Sequence, residues 1–310
     1  MPLVTMTEII EPARAAGRGL GAFNVIGIEH AEAIVAGAEI ARAPAVLQIS
    51  ENCVAYHGAL EPIAAACLAL ARSAAAPVAV HLDHAASAEL VRAAAGLGIG
   101  SVMFDASSLP YQQNVRATAD VTAWCHRRGI WVEAELGEIG GKNGVHSPHA
   151  RTDPAEAAEY VAATGVDALA VAIGSSHAML TRDAVLDLGL TARIRRAVSV
   201  PLVLHGSSGV PDRDLAAAVG AGMTKVNIAT QLNKMFTGAV REYLSAEPAA
   251  VDPRRYGAAG RDAVASEVAR LLDLLGSEGV VQGETIGPRE PAVGTDATAG
   301  GAGEPLSPVE

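Results

Sequence analysis

Three histidines are the residues of this sequence best suited to chemistry. His84, His177 and His205 each come shortly after an apolar, β-branched run of the kind that forms a buried strand. A histidine is out of place at the end of such a run unless something pairs with it. Three neutral imidazoles with an open fourth position form a catalytic site for a divalent metal, usually zinc. The sequence therefore predicts a zinc site, if the fold brings these residues together.

An aspartate stands directly before the first of these histidines. Alternation along a strand would point the side chains of Asp83 and His84 in different directions. Asp83 is therefore better suited to moving a proton beside the metal than to binding the metal. The alternative is that Asp83 orients a metal-bound histidine. His81 lies deeper in the same run, and we expect it to be structural.

Two further carboxylates end apolar runs, and they suggest a second cation. Asp105 and Glu135 could bind a second divalent or monovalent cation, or an alternative position of the first. The competing interpretation is a layer of hydrogen-bonded carboxylates without a metal. Glu133 shares the face of Glu135 by the strand period of two, and it is a weaker candidate.

Small and hydroxyl residues beside His205 indicate an anion site. Gly206, Ser207 and Ser208 directly follow that histidine, and the segment 227–230 closes another apolar run and opens a helix. Small residues allow backbone N–H groups and hydroxyls to approach phosphate oxygens at a helix N-terminus. The sequence therefore predicts a small phosphorylated substrate.

The lysines argue against Schiff-base chemistry. The chain has only Lys142, Lys225 and Lys234, and only Lys225 lies on a predicted strand. It stands at the beginning of that strand, and we expect it to lie away from the chemical rim. A Schiff base requires a lysine amine at the reacting carbon. A metal is therefore the expected electron sink.

Alanine-rich helices alternate with short β-branched runs along the chain, which is typical of parallel strands joined by crossover helices. Eight such units in about 250 residues favour a (β/α)8 TIM barrel, with residues 1–275 as one domain. Polar residues stand at or just past the end of each predicted strand, on the face where barrel enzymes build their sites. The predicted strands are 21–25, 45–50, 77–83, 101–105, 130–136, 168–174, 201–205 and 224–229, and the polar residues are Asn24, Ser50, Asp83, His84, Asp105, Glu135, residues 175–177, His205 and Asn227.

The remaining segments are predicted to lie outside the strands. The loop 137–153 is long for a connection between a strand and a helix, and we expect a mobile lid. Asp153 and Pro154 then open a helix. Extra C-terminal helices are expected at 231–244 and 261–275. An acidic tail rich in Gly, Pro and Ala, 276–310, is expected to be disordered.

Composition indicates which classes of partner molecule and which cell compartment to expect. The net charge of the 310-residue chain is −11 and no basic block occurs, so nucleic acid and anionic membrane are poor candidate partners. The three cysteines show no CxxC spacing and read as reduced thiols. The N-terminus has no signal-peptide pattern, and no window approaches a transmembrane span. We expect a cytoplasmic protein.

The same residues resemble a known family, the class II (metal-dependent) fructose-bisphosphate aldolases and their tagatose-bisphosphate relatives. The resemblance runs from about Ala22 to about Leu275, with its segments in the family's order. These segments are 22–24, 81–84, 101–105, 132–137, 170–177, 201–209 and 225–230.

The resemblance implies a site and a mechanism. His84, His177 and His205 would hold the catalytic zinc, with Asp105 and Glu135 in a second metal position. The zinc would polarise the ketone carbonyl and stabilise an enediolate, while Asp83 takes the proton from the C4 hydroxyl. Gly206, Ser208, Asn227 and Thr230 would grip the phosphate of dihydroxyacetone phosphate. The other expected substrate contacts are Asn24, Ser50, Ala178, Ser207, Ile228 and Ala229.

Two positions depart from the family's pattern. Ala178 stands where family members usually carry glycine, directly after the second histidine ligand. In the loop, Asn143 stands where many members have an acidic residue that moves protons, and an amide cannot be a general base. Glu138 or His146 could replace that acid, or the proton step could run differently.

Several functional alternatives stay open on the sequence. Fructose 1,6-bisphosphate is the first expected substrate, and tagatose bisphosphate or another phosphorylated ketose is the second. A metal-dependent barrel hydrolase would normally carry His-x-His on an early strand, whereas His81 and His84 are three apart. A non-catalytic homologue is the fourth possibility. The resemblance implies a homodimer or homotetramer, and the cluster of Arg254, Arg255 and Arg261 could reach a distal phosphate, also from a neighbouring subunit.

Overall fold

The computed structural model describes residues 3–136, 151–175 and 181–276, and in them eight parallel strands close into a barrel. Each strand pairs with the next in the chain, and the first pairs with the last, as the alternating pattern predicted. The strands are β1 (Leu20–Asn24), β2 (Ala45–Ser50), β3 (Val78–Ala85), β4 (Ser101–Phe104), β5 (Trp131–Glu135), β6 (Ala168–Ala170), β7 (Leu202–Leu204) and β8 (Met223–Ile228). β6 and β7 are shorter than the predicted ranges of 168–174 and 201–205.

Helices surround the barrel and cover the apolar outer faces of the strands. The helices are α1 (Met6–Ala15), α2 (Ile28–Ala41), α3 (Glu51–His57), α4 (Glu61–Ser73), α5 (Ala88–Gly96), α6 (Tyr111–His126), α7 (Pro154–Thr164), α8 (Leu188–Ala197), α9 (Asp212–Ala221), α10 (Thr230–Ala246) and α11 (Pro253–Leu274). As predicted, Asp153 caps the start of α7, and its side chain accepts hydrogen bonds from the N–H groups of Ala155 and Glu156. α11 begins earlier than the predicted residue 261, because Asp252 caps it.

The described helices include no single one that is long and apolar enough to cross a membrane. α3 and α4 pass the same test of length and composition only as a pair, with a bend of 117° between them.

The helix α1 closes the end of the barrel at which the strands begin. Met6, Ile9 and Ile10 are buried there among small barrel residues such as Ala79 and Ala168. Thr5 caps the helix and exchanges hydrogen bonds with Glu8 in a capping box. Because this end is plugged by apolar side chains, polar chemistry is confined to the opposite end.

α11 packs closely against α2, and a glycine makes this contact possible. A Cβ atom at Gly37 would lie 2.6 Å from Cβ of Val268 and 2.7 Å from the carbonyl oxygen of Ala265. The missing side chain therefore lets the two helices approach each other. The second C-terminal helix thus belongs to the barrel's own outer layer.

Candidate active site

A cavity of about 640 Å³ opens at the carboxyl ends of the strands. It is lined by residues from five strands or the loops that follow them, which is the predicted face of the barrel. Predicted site residues on its wall are Asn24, Ser50, Asp83, His84, Gly206, Ser207, Ser208, Asn227, Ala229 and Thr230. Ile228 is not on this wall, because its side chain is buried in the core between the barrel and the helices.

Asp83 and His84 line this cavity, and His205 lies close to both of them. One ligand atom of each lies within 4.8 Å of the others. The prediction that Asp83 and His84 point in different directions is wrong. The pairing of β3 with β4 shifts register between Leu82 and Ala85, and His84 has a φ of 53°, in the left-handed region. This bulge interrupts the alternation and turns both side chains towards the same space.

His84 is held by Asp105, which follows β4. Nδ1 of His84 donates a hydrogen bond of 2.8 Å to Oδ2 of Asp105. Burial alone would lower the pKa of His84, but Asp83 and the bond to Asp105 outweigh it and raise that pKa. Burial would likewise raise the pKa of Asp105, but hydrogen bonds from His84 and Ser107 keep it below its ordinary value. Asp105 therefore fixes the ring of His84 as an ionised acceptor.

Asp105 also belongs to a second group of candidate metal ligands. Ligand atoms of His84, Asp105 and Glu135 lie within 4.8 Å of one another. Glu135 is fully buried, with one carboxylate oxygen 3.4 Å from Nδ1 of His205. The two carboxylates predicted to form a second cation position therefore do converge on His84.

His205 contacts a buried ion pair formed by Glu133 and Lys225. Its Nε2 lies 3.1 Å from one oxygen of Glu133, and the other oxygen of Glu133 accepts a hydrogen bond of 2.8 Å from Nζ of Lys225. Burial alone would lower the pKa of His205, but the hydrogen bonds with Glu133 and Glu135 raise it to about 10. Burial would raise the pKa of Glu133, but Lys225 and His205 keep it below its ordinary value.

Lys225 is placed differently from the sequence prediction. Its side chain is fully buried inside the barrel and also donates a hydrogen bond of 2.8 Å to Oδ1 of Asn227. The lysine is thus in contact with the cavity wall, although the residue itself stands early in β8. His81, in contrast, matches its prediction as a structural residue, because it is fully buried and its Nδ1 lies 2.7 Å from Oγ of Ser101.

The opposite side of the cavity has the features of an anion site. Gly206 has a φ of 68°, and a short 3-10 turn over Ser207–Gly209 follows it. Oγ of Ser207 donates to the carbonyl oxygen of Asn227, and Oγ of Ser208 accepts from the N–H of Gln231 in the first turn of α10. These bonds join the loop after β7 to β8 and to the helix that follows β8. Small residues, hydroxyls and a helix N-terminus therefore face the cavity together.

Some cavity residues were missed by the sequence interpretation. Gln48, Glu51, Asn52 and Ala55 also line it. Gln48 is fully buried, and its Nε2 donates a hydrogen bond of 2.9 Å to Oδ1 of Asn24. A signal for Gln48 was present, because it is polar inside an apolar strand and shares the face of Ser50 by the period of two.

Other predicted residues are not placed in this cavity. His177, Ala178, Glu138, Asn143 and His146 lie outside the described residues, as do residues 137–150 of the predicted lid at 137–153 and the tail from residue 277. The arginine cluster is described, but none of its members lines the cavity. In the cluster, Arg254 pairs with Asp252 and Arg261 pairs with Glu32. A contribution from a neighbouring subunit stays a prediction.

The described donors fit a divalent metal ion. Two imidazoles and a carboxylate are a ligand set that zinc accepts, and their atoms are close enough to share one ion. Oδ1 of Asp83 is buried and has no hydrogen-bond partner among the described residues, which is costly without a proton, cation or substrate nearby. Beside an anion site, this arrangement can polarise a carbonyl and accept a proton from a phosphorylated substrate.

Comparisons with known proteins agree with this geometry. The family model described as fructose-bisphosphate aldolase class-II matches residues 4–280. A fructose-bisphosphate aldolase of Geobacillus stearothermophilus is 38% identical over 283 residues, which cover 90% of this chain and 99% of that protein. The crystal structure of the YdjI aldolase from Escherichia coli K12 has a TM-score of 0.79 at 32% identity, covering 89% of this chain and 98% of that one. A fructose-bisphosphate aldolase from Campylobacter jejuni shares the fold, with a TM-score of 0.74 at 22% identity over 90% of this chain and 97% of its own.

Proposed function

The chain belongs to the class II fructose-bisphosphate aldolase family and is therefore a carbon–carbon lyase, and we propose that it cleaves fructose 1,6-bisphosphate reversibly to dihydroxyacetone phosphate and glyceraldehyde 3-phosphate. The observation that carries the proposal is the arrangement of one cavity. Asp83 and His84 line one part of it, with His205 close to both, and the loop that begins at Gly206 faces the same space. A ketose phosphate needs these two sites side by side.

The proposed catalytic metal is zinc, held by His84 and His205, with His177 as the third ligand. When bound, it supplies a Lewis acid that withdraws electrons from the ketone carbonyl and stabilises the enediolate left by cleavage. The group of His84, Asp105 and Glu135 is the proposed second cation position.

Asp83 is the proposed base in the cleavage direction. Its buried Oδ1, which has no hydrogen-bond partner in the described part of the chain, accepts the proton of the C4 hydroxyl. The C3–C4 bond then breaks, the C4 oxygen becomes the carbonyl of the aldehyde product, and the electron pair stays on C3. A second group returns a proton to C3, for which Glu138 and His146 are the sequence candidates.

The substrate phosphate is proposed to lie against the loop that follows β7. Gly206, Ser208, Asn227 and Thr230 line this part of the cavity. Backbone N–H groups at the N-terminus of α10 face an anion there with a favourable dipole. Asn24 and Ser50 line the cavity on the side of β1 and β2, where they are proposed to bind the hydroxyl groups of the sugar.

Assembly and compartment also belong to this proposal. We expect a homodimer or homotetramer in the cytoplasm, without nucleic acid or membrane as partner. The three cysteines Cys53, Cys67 and Cys125 are buried free thiols, which supports a reducing compartment. Light scattering of the purified protein would test the assembly.

The function is tested by cleavage of fructose 1,6-bisphosphate, run beside its tagatose epimer. We expect the fructose isomer to be cleaved faster, with activity lost to a chelator and recovered on adding zinc. A faster reaction with the tagatose isomer would move the proposal to that substrate. If the zinc-loaded protein cleaves neither sugar, the proposed function is wrong.

A further inference from the structure

Lys225 and Glu133 form a fully buried ion pair inside the barrel, beneath the candidate active site. Nζ of Lys225 donates a hydrogen bond of 2.8 Å to Oε2 of Glu133, and both side chains have no exposed surface. Removing two charges from water is expensive, and a well-packed apolar pair of similar volume is often at least as stable. Stability alone therefore gives little reason for this pair, and its contacts point to another role.

The first of these contacts fixes the amide of Asn227. An ammonium group has three donors and no acceptor, so the atom of Asn227 that faces Lys225 must be the carbonyl oxygen Oδ1. The amide nitrogen then points the other way. Nδ2 of Asn227 is buried and has no hydrogen-bond partner among the described residues, and Asn227 lines the cavity. The lysine thus fixes which end of the Asn227 amide stays available as an N–H donor beside the cavity.

The second contact fixes the ring of His205. Glu133 is an ionised acceptor, so Nε2 of His205 must donate to it over 3.1 Å. In the neutral ring that binds a metal, the lone pair is then on Nδ1, the nitrogen that lies 3.4 Å from Oε2 of Glu135. A hydrogen bond to one ring nitrogen of a metal-binding histidine sets which nitrogen the metal receives. Glu133 thus prepares Nδ1 of His205 as the ligand atom.

We propose that Lys225 and Glu133 are positioning residues that align both halves of the site, the metal ligand His205 through Glu133 and the substrate donor Asn227 through Lys225. Neither residue touches the reacting atoms. The inference takes zinc and a sugar phosphate as the ligands and so rests on the proposed function. Its test measures binding and not cleavage, so the two can fail separately.

The test compares Glu133→Gln with the double variant Glu133→Gln/Lys225→Met. Lys225→Met alone leaves the buried carboxylate of Glu133 without its ammonium partner and is prone to unfolding, whereas the double variant has no charge at either position. In the single variant, Lys225 competes for the one amide oxygen of the new glutamine. The NH2 group of this glutamine then faces Nε2 of His205 and favours the histidine tautomer that carries its proton on Nδ1. In the double variant, the amide oxygen is available to His205 again, but nothing holds Asn227.

Two affinities are measured on the full chain. Competition with a chromophoric chelator gives the affinity for zinc, and calorimetry of the zinc-loaded protein gives the affinity for sn-glycerol 3-phosphate, which has a phosphate and no ketone. We expect Glu133→Gln to lose about 10- to 100-fold in zinc affinity and to keep its phosphate affinity. The double variant should recover zinc affinity but lose about tenfold or more in phosphate affinity.

Asn227→Ala provides the matched control. It should lose the same phosphate affinity as the double variant, and adding it to the double variant should cost nothing more, because both changes remove one donor. The proposal is overturned if Glu133→Gln binds zinc like the wild type, or if the double variant binds glycerol 3-phosphate like the wild type. A parallel loss of both affinities in both variants would also overturn it, since that indicates general disorder of the barrel.

Discussion

Asp105 accepts a hydrogen bond of 2.8 Å from Nδ1 of His84, and this bond links the end of β4 to the bulge in β3. The backbone of His84 is in the left-handed region, which is uncommon for a residue with a side chain. The hydrogen bond therefore helps to hold both the ring and the bulge. It leaves Nε2 as the nitrogen with which His84 can bind a metal.

The first prediction follows from this bond. Asp105→Ala should lower zinc affinity by about 10- to 100-fold, because the ring of His84 loses its orienting acceptor. Asp105→Asn should lose less, since its amide oxygen can still accept the bond. Competition with a chelator measures the zinc affinity of both variants. Asp120→Ala, on the exposed surface of α6, is the control. Wild-type zinc affinity in Asp105→Ala would contradict the assigned role.

The second prediction separates proton transfer from metal binding. Asp83→Asn should lower kcat by about 10²- to 10⁴-fold, because an amide cannot accept the proton of the C4 hydroxyl. Zinc affinity and glycerol 3-phosphate affinity should stay close to those of the wild type. Steady-state cleavage assays at saturating zinc measure the effect. Undiminished cleavage would contradict the role of Asp83 as the base. A large loss of zinc affinity would indicate that Asp83 is a metal ligand instead.

The barrel could be predicted from the sequence because each strand is an apolar run followed by a polar residue. Helix bounds were less predictable where apolar periodicity is weak, as at the start of α11. The signal there was nevertheless the same as for α7. Asp252 and Pro253 repeat the pair Asp153 and Pro154, an N-cap residue followed by proline.

The sequence predicted which residues form the site better than it predicted the directions of their side chains. Strand ends identify which residues face the cavity, but the direction of His84 depends on a bulge that the alternation rule does not contain. The role of Lys225 depends on the length of its side chain. The residue stands early in β8, and its position alone predicts that it lies far from the site, but its side chain extends to Asn227.

The third prediction concerns Gly174, which follows β6. Its φ is 119°, and an added Cβ would lie 2.3 Å from the carbonyl oxygen of Val185. Gly174→Ala should therefore lower the free energy of unfolding by about 1 to 3 kcal/mol. Activity should also fall, because Oγ of the neighbouring Ser175 donates a hydrogen bond of 2.7 Å to the carbonyl oxygen of His205.

Urea unfolding and cleavage assays measure these effects, with Gly238→Ala as the matched control. Gly238 lies within α10 and has open space around an added Cβ. The control should be stabilised by about 0.5 to 1 kcal/mol, because alanine is the better helix former. Equal stability of the two variants would show that Gly174 is not required for its backbone conformation.

The fourth prediction concerns Asp212 and the pH dependence of stability. Asp212 begins α9 and accepts hydrogen bonds from Arg182 and Arg270. Burial would raise its pKa, but the two arginines outweigh burial and lower the pKa below the ordinary value of 3.8. The unfolded chain therefore binds more protons than the folded chain near that pH. The contribution is complete above about pH 4 and is lost as the pH falls through the lower, folded pKa.

Asp212→Asn should remove this contribution. The variant should be less stable than the wild type near pH 6, by up to about 1 kcal/mol because solvent screens a carboxylate of this exposure. The difference should shrink as the pH falls below about 4. Urea unfolding at a series of pH values, with chelator present throughout, measures it. Asp262→Asn is the control, since that side chain is 78% exposed and should give a constant difference. A difference for Asp212→Asn that does not change with pH would mean that its ion pairs add nothing to stability.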